Sequence, residues 1–340
     1  MSEHLPAFET ADSPAHTALY APWPPNARRS WGAGAIALVV GFYLVATIAM
    51  VVGQIAWTVS AHGASVFSDP QAMTAALSEL PPPVIFFPLM LVLFLTWGGL
   101  SLAWVSGFER RGLSTIGFRA ERAGRLFVNG AGLAIAAIIA LSATGLLIGL
   151  IAPVDVTDAA QTADWGRLAD PTVWLVIGGL AAFFFIQGGV EEIVFRGWLM
   201  STLSARWGRI AGVGVTALVF ALFHLQVFMS GFYMGLAALA GISMTGLFLG
   251  LLALRQGSLW GVIGLHGAFN AVSVIGPVSY MIASQPEATI GEAVSRVFEQ
   301  ATGMAASSGF QPQILAQALV FGTFSIFMLW RLTRTRRQAR

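Results

Sequence analysis

A polytopic bundle of membrane-spanning helices is the fold class that three observations on this sequence predict. The 340-residue chain is 56% hydrophobic and 10% charged, whereas soluble domains carry about 25% charged residues. Its mean hydropathy is +0.75. Its apolar residues gather into eight long runs, each near or above the ~20 residues a helix needs to cross a bilayer. The class is therefore all-α, because in lipid a helix satisfies its backbone polar groups within its own length.

Residues 1–30 are polar and proline-rich ("APWPPNARRS") and read as a mobile cytosolic arm. They do not resemble a cleavable signal, since the apolar run that follows exceeds the ~7–15 residues of a signal core. Arg28 and Arg29 form a positive flank that holds the start of the first span inside. Spans are expected at about 32–59, 83–106, 127–152, 172–203, 209–227, 232–254, 258–276 and 313–331. The first three make an N-terminal region, 31–171, and the next four a core region, 172–276. An outer loop, 277–312, has room for a surface helix, and residues 313–340 hold the last span and a basic tail. The fourth span is too long for a perpendicular crossing and must tilt, kink or protrude. Gly246 with Gly250, and Gly257 with Gly261, recur at the spacing that favours close helix contact in lipid. No internal repeat is visible.

Arginine placement sets the topology, because cytoplasmic loops are enriched in positive charge. With the N-terminus inside, the cytosolic loops hold Arg110, Arg111, Arg119, Arg122, Arg125, Arg206, Arg209 and Arg255. The C-terminal tail adds Arg331, Arg334, Arg336, Arg337 and Arg340. The opposite loops hold Arg167 and Arg296 among Asp155, Asp158, Asp164, Asp170, Glu287, Glu292 and Glu299. Eight spans with both termini cytoplasmic follow from this pattern.

Composition also excludes functions. The chain has no cysteine, which rules out disulfides, Cys-ligated zinc and a thiol nucleophile. A net charge of +2 gives nucleic-acid binding little support.

Of the 16 acids, Glu191 and Glu192 alone sit deep in an expected span, in "GGVEEIVFRGW". Of the five histidines, His224 ("VFALFHLQ") and His266 ("GLHGAFN") are intramembrane, and no other buried ionisable groups are expected beside Arg196. Such groups are expensive at that depth and mark function. Counted from the cytosolic ends, Glu191 lies about 21 Å deep, His224 about 24 Å, His266 about 12 Å and Asn270 about 18 Å. One polar cavity between the fourth, fifth and seventh spans is therefore feasible, and burying the groups apart would leave each without a partner.

Glu192 and Arg196 are spaced i,i+4 and form a same-face ion pair. Glu191 is rotated by about 100° from Glu192 and stays free for chemistry. His266 and Asn270 project together at the same i,i+4 spacing, and Phe220 shares a face with His224. Each pair alone has a structural reading, as an ion pair, a satisfied core histidine or an interhelical clamp; their joint depth favours a shared site. A carboxylate and an imidazole near one water suit general-base activation of that water. A second imidazole and an amide suit stabilisation of an oxyanion. Other membrane protease designs fit poorly: H-E-x-x-H is absent, all aspartates lie in loops or the arm, and Phe228 stands where the glycine of a rhomboid-type serine motif would precede Ser230.

Glu191-Glu192-x-x-x-Arg196, Phe220-x-x-x-His224 and His266-x-x-x-Asn270, in that order, resemble the three motifs of the CAAX prenyl endopeptidase type II and bacteriocin-processing family. The motif-bearing region is about 175–275, and "ERRGLSTIGFR" resembles the loop that often precedes it. The resemblance implies an intramembrane endopeptidase, often classed with metalloproteases, in a plasma membrane of bacterial type. Its substrate would be a membrane-associated peptide, lipidated or leader-bearing. It implies Glu191 and His224 as water activators, His266 and Asn270 as the oxyanion site, and Glu192, Arg196 and Phe220 in support. Glu191, His224 and His266 would supply three ligands if a zinc ion were bound. No helix carries a short-spaced ligand pair, which favours a metal-free glutamate base. The alternatives are a catalytically idle membrane binding or immunity-type protein and a proton-coupled carrier, the latter weakened by the missing repeat.

Overall fold

The computed structural model describes residues 18–78, 81–151, 163–301 and 312–338. Among them every regular element is helical, and seven helical stretches are long and apolar enough to cross a bilayer. The helices are α1 (Gly32–His62), α2 (Pro70–Ser78), α3 (Pro83–Ala103), α4 (Ala123–Ile151), α5 (Pro171–Glu192) and α6 (Met200–Trp207). They continue with α7 (Arg209–Leu222), α8 (Phe232–Gln256), α9 (Trp260–Ser284), α10 (Ile290–Ala301) and α11 (Pro312–Gln338).

The long fourth span is one rod, Pro171–Trp207, of 37 residues. It starts where the Asp170 side chain accepts from Thr172 N ahead of Pro171, an N-cap with proline at the first helical position. Its middle is a π-helical stretch, Ile193–Leu199, that joins α5 to α6. At ~1.5 Å per residue the rod is about 55 Å long, well over a bilayer core of about 30 Å.

The expected fifth span differs. Its helix, α7, has 14 residues and is followed by a 3₁₀ stretch, Leu225–Ser230. His224 sits at the break with φ −115° and ψ 27°, and Gly208 and Gly231 bound the whole segment in left-handed conformations. The segment nevertheless accompanies α8 throughout. A Cβ at Gly250 would lie 3.1 Å from Val213, one at Gly246 would lie 3.2 Å from the Ala217 carbonyl, and one at Gly235 would meet Phe228. These contacts keep one antiparallel register across the break. Of the second glycine pair, Gly261 meets Gly130 at the α4–α9 contact, whereas Gly257 ends α8 with φ 58°, a C-cap rather than a packing position.

Part of the arm expected to be mobile is packed, at Leu19, Tyr20 and Ser30, while Pro22, Pro25, Asn26, Arg28 and Arg29 are exposed; residues 1–17 lie outside the described residues. Leu19 and Tyr20 are buried in the apolar core formed with α4, α8 and α9. Arg206 donates to the Ser30 and Arg29 carbonyls at 3.1 and 2.7 Å, and Trp104 Nε1 donates to Ser30 Oγ at 3.1 Å. Aromatic and apolar side chains within a proline-rich stretch supplied enough buried surface to order it.

The expected surface helix is α10. Ala293, Val294 and Val297 are buried with Phe183 and Phe184 of α5 and Val278 and Ile282 of α9. Arg167 ties this end together by donating to the carbonyls of Ile282, Gln285 and Ala288. Asp155, Asp158, residues 302–311 and Arg340 lie outside the described residues.

Candidate active site

The α5–α9 crossing builds the site. A Cβ on Gly188 would lie 3.1 Å from Gly267 N and 3.3 Å from its Cα, so the two backbones meet there without side chains between them. Directly beside this crossing, α5 presents Gln187 and Glu191 and α9 presents His266 and Asn270. The α-to-π transition follows at once, with the Met200 N–H reaching the Phe195 carbonyl five residues back. Such wide turns concentrate at functional sites because they re-aim side chains out of the 3.6-residue repeat.

Glu192 is fully buried and its Oε1 accepts twice, from Arg196 Nη1 at 2.9 Å and from His266 Nδ1 at 2.7 Å. Arg196 Nη2 donates onward to the Gly246 carbonyl at 3.1 Å. The Glu192–Arg196 spacing thus yields an ion pair, and the same carboxylate orients the His266 ring. With Nδ1–H committed to Glu192, His266 Nε2 faces Glu191 Oε2 at 3.7 Å. Glu191 Oε1 accepts from Gln187 Nε2 at 2.5 Å, and Gln187 Oε1 accepts from Asn270 Nδ2 at 2.9 Å. Glu191 Oε2 is buried and takes no hydrogen bond among the described residues.

His224 stands apart from this chain. Its Nδ1 donates to the Phe220 carbonyl at 3.0 Å, which leaves Nε2 as the basic nitrogen of the neutral ring. The Phe220 ring packs against three nitrogen-bearing neighbours, 4.9 Å from the His224 ring, 5.9 Å from the His266 ring and 4.3 Å from the Arg196 guanidinium carbon. The structure therefore gathers two hydrogen-bonded sets, Glu191 with Gln187 and Asn270, and Glu192 with Arg196 and His266. They face each other at 3.7 Å between Glu191 Oε2 and His266 Nε2, while the His224 ring packs on Phe220.

Three participants were missed in the sequence. Gln187 carried a signal, being the polar residue one turn before Glu191 in "FFFIQGG". Tyr20 did not: its hydroxyl donates to the Arg196 carbonyl at 2.8 Å, inside the π-helical stretch. Burial pushes the Tyr20 phenol up, Glu192 adds to the shift and Arg196 and Arg111 oppose it, so the hydroxyl stays a donor. The third is a second buried ion pair, Glu109 with Arg111 at 2.9 Å, which corrects the expectation that no other ionisable groups are buried. Trp198 Nε1 donates to Glu109 at 3.2 Å, and Arg111 donates to Ser201 and Thr202 and lies 3.8 Å from the Trp23 ring centre. The α6 end of the rod covers this loop.

The conditional zinc set is not assembled. Among the described residues no three His, Cys, Asp or Glu side chains group closely enough to hold a metal ion. Glu192 holds His266 Nδ1, so Nε2, which faces Glu191 Oε2 at 3.7 Å, is the nitrogen that His266 would offer a metal ion.

Residues 172–272 match the family model described as type II CAAX prenyl endopeptidase Rce1-like. No curated protein and no solved structure matches the chain.

Proposed function

We propose, for a chain that residues 172–272 make a member of the type II CAAX prenyl endopeptidase, Rce1-like, family, that the Glu191 centre hydrolyses a peptide bond of a membrane-associated substrate. The observation that carries this reading is Glu191 Oε2: a buried carboxylate oxygen, free of hydrogen bonds, facing an oriented imidazole. A carboxylate left in that state at the end of a polar chain is placed to accept a proton.

The chemistry follows from the atoms present. Glu191 Oε2 takes a proton from a water as its oxygen attacks the peptide carbonyl carbon. The carbonyl electron pair moves onto oxygen, and the second Asn270 N–H, together with His266 Nε2 when protonated, stabilises that oxyanion. The intermediate collapses, the C–N bond breaks, and the Glu191 proton passes to the leaving amine. General-base action of this kind contributes on the order of 100- to 10,000-fold. Glu192 and Arg196 hold the His266 ring, and Phe220 packs against both imidazoles. His224, half-buried at the helix break, presents Nε2 as a second proton acceptor toward the substrate. No step needs a metal.

The substrate class is a lipidated or leader-bearing peptide that reaches the site from the membrane. New peptide termini in membranes from cells with the wild-type protein, missing with Glu191→Gln, would identify it. Identical termini in both would favour a non-catalytic binding role.

A further inference from the structure

We propose that Gln187 is a positioning residue of this centre, its amide setting the geometry of Glu191 and Asn270 together. The inference rests on the reading of Glu191 as base and Asn270 as oxyanion donor, and adds a residue outside the three motifs.

Gln187 is 9% exposed and lies one helical turn before Glu191, beside the Gly188–Gly267 crossing that brings α9 within reach. An ionised carboxylate only accepts hydrogen bonds. Gln187 must therefore turn its NH₂ toward Glu191 Oε1, at 2.5 Å, and its carbonyl away. That carbonyl can in turn be met only by the NH₂ of Asn270, at 2.9 Å. One orientation is imposed along the whole chain, and two consequences follow. Oε1 of Glu191 is occupied, so proton uptake falls to Oε2 on the His266 side. Asn270 spends one N–H on Gln187, which aims the other.

Two substitutions separate this role from packing. Gln187→Met keeps the volume and removes both polar functions, whereas Gln187→Asn keeps the amide on a side chain one methylene shorter. Displacing catalytic groups by about 1 Å costs on the order of 100-fold in rate. With a quenched-fluorescent farnesylated peptide in proteoliposomes, Gln187→Met should lose about that factor in kcat with KM and thermal midpoint nearly unchanged. Gln187→Asn should retain more activity than Gln187→Met. A packing role predicts the reverse order, and wild-type kcat in Gln187→Met would overturn the proposal.

A second readout needs no substrate. The chain has three asparagines, Asn26, Asn129 and Asn270, so ¹⁵N-asparagine labelling gives three side-chain amide pairs. Asn270 is assigned by the loss of its pair in Asn270→Ala. Gln187→Met should shift the Asn270 pair alone, and an unmoved pair would overturn the relay. If the wild-type protein cleaves no peptide, the proposed activity fails while this signal still decides whether Gln187 positions Asn270.

Discussion

At the scale of single residues, Glu191 and Glu192 divide the work although they are neighbours. Glu192→Gln leaves Arg196 buried beside a neutral amide and loosens His266. Breaking a buried pair in this way costs about 3–5 kcal/mol, so thermal denaturation should show a large drop, with turnover falling in the folded fraction. Asn270→Ala should cut kcat on the order of 100- to 1000-fold with KM nearly constant; a purified, folded variant that keeps most of its turnover would remove Asn270 from the oxyanion site. On the proposed reading of Glu191 as a metal-free base, chelator treatment should change neither activity nor metal content, which elemental analysis checks. The charged residues of the site were legible because lipid makes such groups rare. Gln187 was not, because a lone amide in an apolar run gains meaning only once Gly188 and Gly267 are known to cross. Glu109 and Arg111 were misplaced because loop position alone does not reveal that Trp198 and Ser201 cover them.

At the scale of elements, the glycines at the crossing and the cap of α10 give tests of their own. Gly188→Ala sets a methyl about 3.1 Å from the Gly267 backbone, which cannot rotate away. Overpacking typically costs about 1–3 kcal/mol, and here it also separates Gln187 and Glu191 from His266 and Asn270. Activity should therefore fall further than the loss in thermal stability explains. Helix α10 starts with a capping box: Glu292 accepts from the Thr289 N–H and hydroxyl at 2.8 and 2.9 Å, and Thr289 Oγ1 accepts from the Glu292 N–H. These hydrogen bonds hold the Glu292 carboxyl below its ordinary value. A depressed folded-state value means that the cap contributes fully above the unfolded value and is lost as pH falls through the folded one. Amide exchange at the start of α10 should accelerate over that acidic window, and Glu292→Gln should abolish the pH dependence. The spans were legible from apolar length, whereas the break at His224 was not: "VFALFHLQVFM" is apolar across it, and only the left-handed glycines at either end and the register against α8 reveal the shortened helix.

At the scale of the whole molecule, the expected eight spans with both termini cytoplasmic require α7 and its 3₁₀ extension to complete a crossing together, since seven helical stretches among the described residues are long and apolar enough to cross alone. Tags after residue 115 and at the C-terminus should report cytoplasmic, and a tag near residue 290 the opposite side; two reversed tags would sink the topology. The packed arm belongs to this scale as well, since Tyr20 joins the N-terminal segment to the helix that carries both glutamates. Tyr20→Phe removes one buried hydrogen bond, worth about 1 kcal/mol, and should lower the thermal midpoint modestly. The claim on which the account turns is that Glu191 is the base of a hydrolytic centre. Its most direct test is cleavage of a membrane-presented peptide substrate by purified protein in proteoliposomes, comparing wild type with Glu191→Gln of matched thermal stability. The account predicts cleavage by the wild type and a loss of at least about 100-fold in the variant; equal rates in the two would contradict it.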